Sequence, residues 1–203
     1  LISLLKTPLF TFGMGLFVVS VLLALLYPLV SDIDPLLRSG LPFDPPSPKH
    51  WLGTNNEGQD MFAQLVYGMR SSLYVGIAAG TVATVLGTFI GILSGYRGGL
   101  LDNILTMITN LFIVIPSVVV LILISNSIEK RSLTLVAMII GATTWTWTAR
   151  AVRAQTLSLR GREHVHLARL NGASTLRILA QHILPYIFSY VFMAFILQMA
   201  TGI

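Results

Sequence analysis

The 203 residues are 54% hydrophobic and only 10% charged, whereas a soluble domain carries about 25% charged residues. That deficit lies in several long apolar runs, so most of the chain has lipid as its solvent, and the net charge of +5 is read by position rather than as a nucleic-acid signal. The absence of cysteine excludes a disulfide framework and any thiolate metal site.

Five segments are long and apolar enough to cross a hydrocarbon core as helices: roughly 9–30, 71–95, 103–125, 132–150 and 183–203. Helix is the default because lipid offers no partner to open backbone groups, and the alternation of a membrane barrel is absent. The first segment is too long for a signal-peptide core and lacks a clear small-residue cleavage site, so it reads as a retained span. The sequence starts without Met and stops inside the apolar run "FMAFILQMATGI", from which a fragment with at least one further span is expected.

Residues 31–60 follow the first span and are rich in Pro, Asp, Asn and Gly ("DPPSPKHWLGTNNEGQD"). They predict a loop ordered by its own packing, not a domain. Thr54 and Glu57 have the spacing of a capping box for a short amphipathic helix ending near Arg70. The region to residue 70 is therefore assigned as one extramembrane loop with a short helix, and 71–203 as the core.

The second span carries Ala79, Ala83, Gly87, Gly91 and Gly95 at a strict spacing of four. Small residues in register let another helix approach closely, which is how membrane helices associate. Five in a row favour a packing seam over the general abundance of Gly and Ala in spans. The third span has Thr106, Thr109, Asn110 and Ser117 near one face, with Pro116 after them, and the fourth has Thr143 and Thr144 in "TTWTWTAR". Polar groups in lipid face the bundle interior or a cavity. These six are the candidate pathway lining, with interhelical hydrogen bonding as the alternative role. Neither span holds an acid, which argues against a proton relay or a cation site of the secondary-transporter kind.

Between residues 150 and 177 lie Arg150, Arg153, Arg160, Arg162, Arg169 and Arg177 against Glu163 alone, while 31–70 is acidic on balance. Positive segments stay in the cytoplasm, which puts 150–182 inside and 31–70 outside. Alternation then puts the N-terminus with Lys6 inside, Arg97 inside and the loop near Glu129 outside. Lys130 and Arg131 in that outer loop run against the rule, partly offset by Glu129.

The basic stretch "HLARLNGASTLRILAQHILP" predicts a helix from Glu163 to Leu170, a cap at Asn171-Gly172, and a second helix from Thr175 capped by Ser174. Pro185 suits the first turn of the last span or a kink at its start. A DNA-binding helix-turn-helix fits the glycine and the arginines, but spans on both sides hold the stretch against the bilayer. A segment that merely obeys the charge rule or touches anionic lipid is the plain alternative. A docking element for a cytoplasmic partner explains why it folds as two capped helices. The histidines give no metal cluster: His164 and His166 are two apart and point to different faces of a helix, and His50 and His182 fall on opposite sides of the membrane.

"EHVHLARLNGASTLRILAQHILP" resembles the cytoplasmic signature loop of ABC importer permease subunits, Glu-Ala-Ala-x-x-x-Gly followed by Ile-x-Leu-Pro. Gly172, Leu184 and Pro185 occupy matching slots; His166, Leu167 and Ala168 stand in the Glu-Ala-Ala slots and His182 in the Ile slot. "HWLGTNNEGQDMFAQLVYGMRSSLYVG" (His50–Gly76) and "SGYRGGLLD" (Ser94–Asp102) are similar to the dipeptide/oligopeptide/nickel branch of that family, second permease type, where Trp51, Gly53, Thr54, Gly58, Asp60, Tyr67, Gly68, Arg70, Ser72 and Leu73 match and Asn55 and Gln59 depart.

The resemblance implies an all-α integral membrane protein with the type I ABC importer permease fold, five of six transmembrane helices being present. It implies a prokaryotic inner-membrane location, a homologous permease partner, two cytoplasmic ATPases and an outer binding protein. Residues 162–182 would couple to an ATPase through Glu163, His166, Leu167, Ala168, Asn171, Gly172, Ala173 and Ser174, with Leu184 and Pro185 closing the loop. ATP and Mg would belong to those partners: the chain has no G-x-x-x-x-G-K-[ST] loop, and Lys6, Lys49 and Lys130 do not follow glycine. No cofactor or enzymatic activity is therefore expected of the chain itself. Small peptides are the expected cargo, with oligosaccharides or nickel as alternatives in the same machinery. A stand-alone secondary transporter or channel is the competing class.

Overall fold

The computed structural model describes residues 7–127 and 132–202; the orientation expectations resting on Lys6 and on Glu129, Lys130 and Arg131 lie outside them. The chain divides into two compact units at Tyr74–Val75. Among the described residues there is no strand, only two isolated bridges.

In the first unit, α1 (Pro8–Val30) starts with proline at its first turn, where the missing N–H is one the helix could not use. Its apolar side chains are exposed all round, with Ala24 alone buried, the character of a helix meant for an apolar medium. The following loop is closed on itself by hydrogen bonds. Ser39 and Gly40 N–H donate to Gly58 O at 2.8 and 3.0 Å, and Thr54 Oγ1 donates to Leu41 O at 2.6 Å while accepting from Asp44 N–H at 2.8 Å. Gly53 and Gly58 turn the chain at φ +74° and +77°, and a Cβ on either would meet the carbonyl of Asp44 or Gly40.

The capping-box expectation is corrected here. Thr54 spends its hydroxyl inside the loop, and the helix start is capped by Asp60, whose Oδ1 accepts from Ala63 N–H at 2.8 Å while Oδ2 meets His50 Nδ1 at 2.8 Å. The expected short helix is not separate: α2 (Met61–Arg97) runs unbroken for 37 residues from Asp60 through the expected second span, since no residue between 61 and 97 is proline. Asp60→Ala should lower stability by about 1 kcal/mol through the lost cap and also free His50, which limited proteolysis of the 31–60 loop would register as faster cleavage.

In the second unit, Gly98 and Gly99 at φ +67° and +62° end α2 and start α3 (Gly99–Val114). The expected continuous span over 103–125 is broken. Ile115 is extended because it precedes Pro116, and α4 (Ser117–Ser127) leaves α3 at 76°. After Ser132, whose hydroxyl accepts from Leu135 N–H at 3.1 Å, α5 (Leu133–Arg160) runs 28 residues, about 42 Å. It continues well past the expected boundary at 150. Then come α6 (Glu163–Leu170), α7 (Thr175–Ile178), a π-helical turn (Leu179–Ile183) and α8 (Leu184–Thr201). The π turn absorbs Pro185, which cannot donate to a carbonyl four residues back. Consequently α7 is the beginning of the last long helix, Thr175–Thr201, rather than a rod separate from it.

Of the five segments expected to cross, α1, α2 and the α7–α8 helix are each long and apolar enough to do so, and the bent α3–α4 pair makes a fourth if counted as one span. The fifth, α5, has the length, but its Thr/Trp-rich middle and arginines make it less apolar than the others. It lies where that composition suits it, with Ala137, Gly141, Trp145, Thr148, Ala149 and Val152 among its buried residues.

Candidate functional site

Three features meet on α5: a close-packed seam, a half-buried ion pair and a cavity. Ala79 and Ala83 are buried, and Gly87, Gly91 and Gly95 face α5 so closely that added Cβ atoms would lie 2.7 Å from Trp145 O, 2.6 Å from Ala149 O and 2.8 Å from Arg153 O. Gly141 returns the favour from α5, its Cβ position lying 2.6 Å from Val82 Cβ. Backbones this close maximise dispersion contact, the main attraction between helices in lipid.

The seam brings Asp102, at the start of α3, against α5. Arg153 grips it with two parallel bonds, Nε–Oδ1 2.6 Å and Nη2–Oδ2 2.7 Å, the bidentate geometry that only arginine offers a carboxylate. Ser94 of α2 also donates to Oδ1, and Thr106 approaches it at 3.3 Å. One carboxylate thus ties α2, α3 and α5 together. Arg160 adds a bond to Gly95 O at 3.1 Å.

The cavity, about 710 Å³, opens between the α3–α4 bend, α5 and α8. Of the six candidate lining residues, Ser117, Thr143 and Thr144 border it. Asn110 does not border it; its side-chain oxygen accepts from Arg150 Nη2 at 2.8 Å, and Arg150 borders the cavity. Thr106 and Thr109 instead border a smaller space of about 200 Å³ that Arg150 and Arg153 share, and Thr109 bonds back to Leu105 O at 2.7 Å. Sequence reasoning missed Arg150, Trp147 and Gln198. Arg150 was counted only as a topology charge, although Thr143, Trp147 and Arg150 lie three and four apart, one face of a helix. Gln198 was hidden in an apolar run; its amide donates to Thr144 O at 2.9 Å and Thr148 Oγ1 at 3.2 Å, pinning α8 to α5.

The expected docking loop caps the ends of the same helices. Val165, Ala168, Ile178, Ile183 and Ile187 form one core with Val152 and Leu159 of α5. Between α6 and α7, Ala173 N–H bonds Ala168 O and Gly172 N–H bonds Arg169 O, both at 3.0 Å, with Gly172 at φ +74°, a Schellman turn. Ser174 Oγ accepts from Arg177 N–H at 3.4 Å. Asn171 caps α6, while His166 and Leu167 lie on its exposed side and Glu163 in its first turn; Leu184 and Pro185 open α8. The structure brings His164 and His182 together, Nε2 to the backbone oxygen at 3.3 Å, with Tyr186 stacked at 4.8 Å. No group of three metal-ligating side chains occurs among the described residues.

A family described as "binding-protein-dependent transport system inner membrane component" matches residues 87–203, the segment that holds the ion pair, the cavity and the docking loop. The chain is 34% identical over 193 residues to the oligopeptide transport system permease protein OppC of Bacillus subtilis, covering 94% of this chain and 63% of that protein. To OppC of Mycobacterium tuberculosis it is 33% identical over 160 residues, 78% of this chain and 55% of the relative. To the dipeptide transport system permease protein DppC of B. subtilis it is 35% identical over 141 residues, 70% and 44%. It thus spans about half the length of the relatives it matches. With a family match over more than half of its residues and apolar helices built to cross lipid, the chain is a multi-pass membrane protein belonging to the binding-protein-dependent transport system inner membrane component family.

Proposed function

We propose that the chain is a permease subunit of a binding-protein-dependent ABC importer of the prokaryotic inner membrane, forming half of a pathway for small peptides. In this reading it pairs with a homologous permease. An outer binding protein delivers cargo, and two cytoplasmic ATPases, which bind ATP and Mg, supply the energy. The N-terminus and the α6–α7 loop lie in the cytoplasm. The names of the OppC and DppC relatives support the cargo class.

The observation that carries the coupling role is the two-sidedness of the α6–α7 pair. One side is locked into the core with α5 and α8. The other presents Leu167, Leu170 and Leu176 at 59%, 83% and 79% exposure around the turn, apolar side chains that a partner surface would cover. The pair leaves α5 through Gly161 and Arg162 and runs into α8 without a break, and α5 and α8 also border the cavity. A shift imposed on the pair would therefore reach the cavity walls as a rigid-body motion.

Gly172→Val tests this in the assembled importer. Nothing lies within 4 Å of the added Cβ, so the change acts through φ +74° alone, a strain of about 1–3 kcal/mol for a β-branched residue. Peptide uptake should fall about tenfold or more, with ATP hydrolysis no longer stimulated by loaded binding protein. Leu170→Asp, at an exposed position, should release the ATPase on co-purification without disturbing the membrane subunits. Normal uptake and normal ATPase retention in both variants would overturn the coupling role.

A further inference from the structure

The two arginines one turn apart on α5 have opposite surroundings. Arg153 is neutralised by Asp102 through two bonds. Arg150 borders the large cavity and gives one bond to a neutral acceptor, Asn110 Oδ1. Among the described residues no carboxylate lies within 4.0 Å of it, and none borders the cavity. A guanidinium carries five N–H donors, so most of them remain for another ligand. The Arg150 side chain is exposed, so an anion that enters the cavity can reach these donors, and a carboxylate meets a guanidinium in bidentate geometry.

The rest of the cavity suits a small peptide. Its volume, about 710 Å³, falls in the range of small-molecule sites. Phe112 and Trp147 give apolar wall, and Ser117, Thr143 and Thr201 give hydroxyls. We propose that this cavity is a transit subsite in which Arg150, oriented by Asn110, receives the C-terminal carboxylate of a small peptide while the aromatic walls take its side chains. The proposal rests on the peptide-importer reading and deepens it. It assigns the permease a selectivity of its own, for a free carboxyl end, in addition to whatever the binding protein selects.

The test is uptake by the complete importer in proteoliposomes, with trialanine and its C-terminal amide as paired probes, for wild type, Arg150→Gln, Arg150→Lys and Asn110→Ala. The quantity read is the ratio of free-acid to amide uptake, because the binding protein's preference is common to all four and cancels between them. Arg150→Gln should reduce that ratio about tenfold relative to wild type, the discrimination of one charge-assisted contact. Arg150→Lys should restore part of it, and Asn110→Ala should reduce it less. A ratio unchanged in Arg150→Gln, with both probes slowed equally or not at all, overturns the subsite and leaves the importer reading standing. Wild-type importer that carries neither probe overturns both.

Discussion

Asp102→Ala is expected to be the most damaging single change to stability in the second unit. The carboxylate accepts from Arg153, Ser94 and Thr106 and so joins three helices. Its removal leaves the Arg153 guanidinium without a counter-charge in a largely apolar bundle. Breaking one side of a buried pair costs about 3–5 kcal/mol. The Arg153 side chain is 34% exposed and that of Asp102 12%, which points to the lower end, about 3 kcal/mol. In detergent, Trp145 and Trp147 fluorescence would follow thermal unfolding, with an apparent Tm drop of about 6–12 °C. The double variant Asp102→Leu, Arg153→Leu separates the pair's net value from the penalty of breaking it. It should be much more stable than the sum of the single changes predicts, because two apolar side chains leave no charge stranded. Additive losses would show that the pair contributes no more than shape.

Gly91→Leu should come next. The ideal Cβ lies 2.6 Å from Ala149 O and 2.8 Å from Val152 Cβ, and neither atom is the end of a flexible side chain. The helices must move apart, which also loosens Gly87 and Gly95 against α5. Gly91→Ala should cost about 1–3 kcal/mol and Gly91→Leu the upper end of that range or more. Gly68 provides the control on the same helix: nothing lies within 4 Å of its Cβ position, so Gly68→Ala should be neutral or gain up to about 1 kcal/mol from helix propensity. Equal Tm values for Gly68→Ala and Gly91→Ala would remove the seam as a source of stability.

The pattern of small residues at every fourth position states where the approach occurs, and the spacing alone could state it because a helix has one geometry. It could not name the partner helix. That the seam faces α5 rather than another span follows from which elements pack together, and only the fold settles that. The same division separates Pro116 from its consequence. The sequence marks a break at that residue, since the preceding position must leave the helical region. The direction of the 76° turn, and hence the cavity under it, depends on what α4 packs against. At the outer loop, Thr54 and Glu57 had the local spacing of a cap, but Thr54's hydroxyl found better-placed partners at Leu41 and Asp44, and Asp60 took the role. A local motif lost to contacts ten and thirteen residues away.

By itself the sequence determined the membrane character, the helical class, the place of the glycine turn at 172 and the small-residue stripe, because each follows from composition or from the period of a single helix. The pairing of Asp102 with Arg153, fifty-one residues apart, the bond of Arg150 to neutral Asn110 with no carboxylate beside it among the described residues, and the joining of α7 to α8 were decided by tertiary structure. Charge sign and spacing say that a cation is present; only the positions of neighbouring helices say whether a counter-ion is within reach of it.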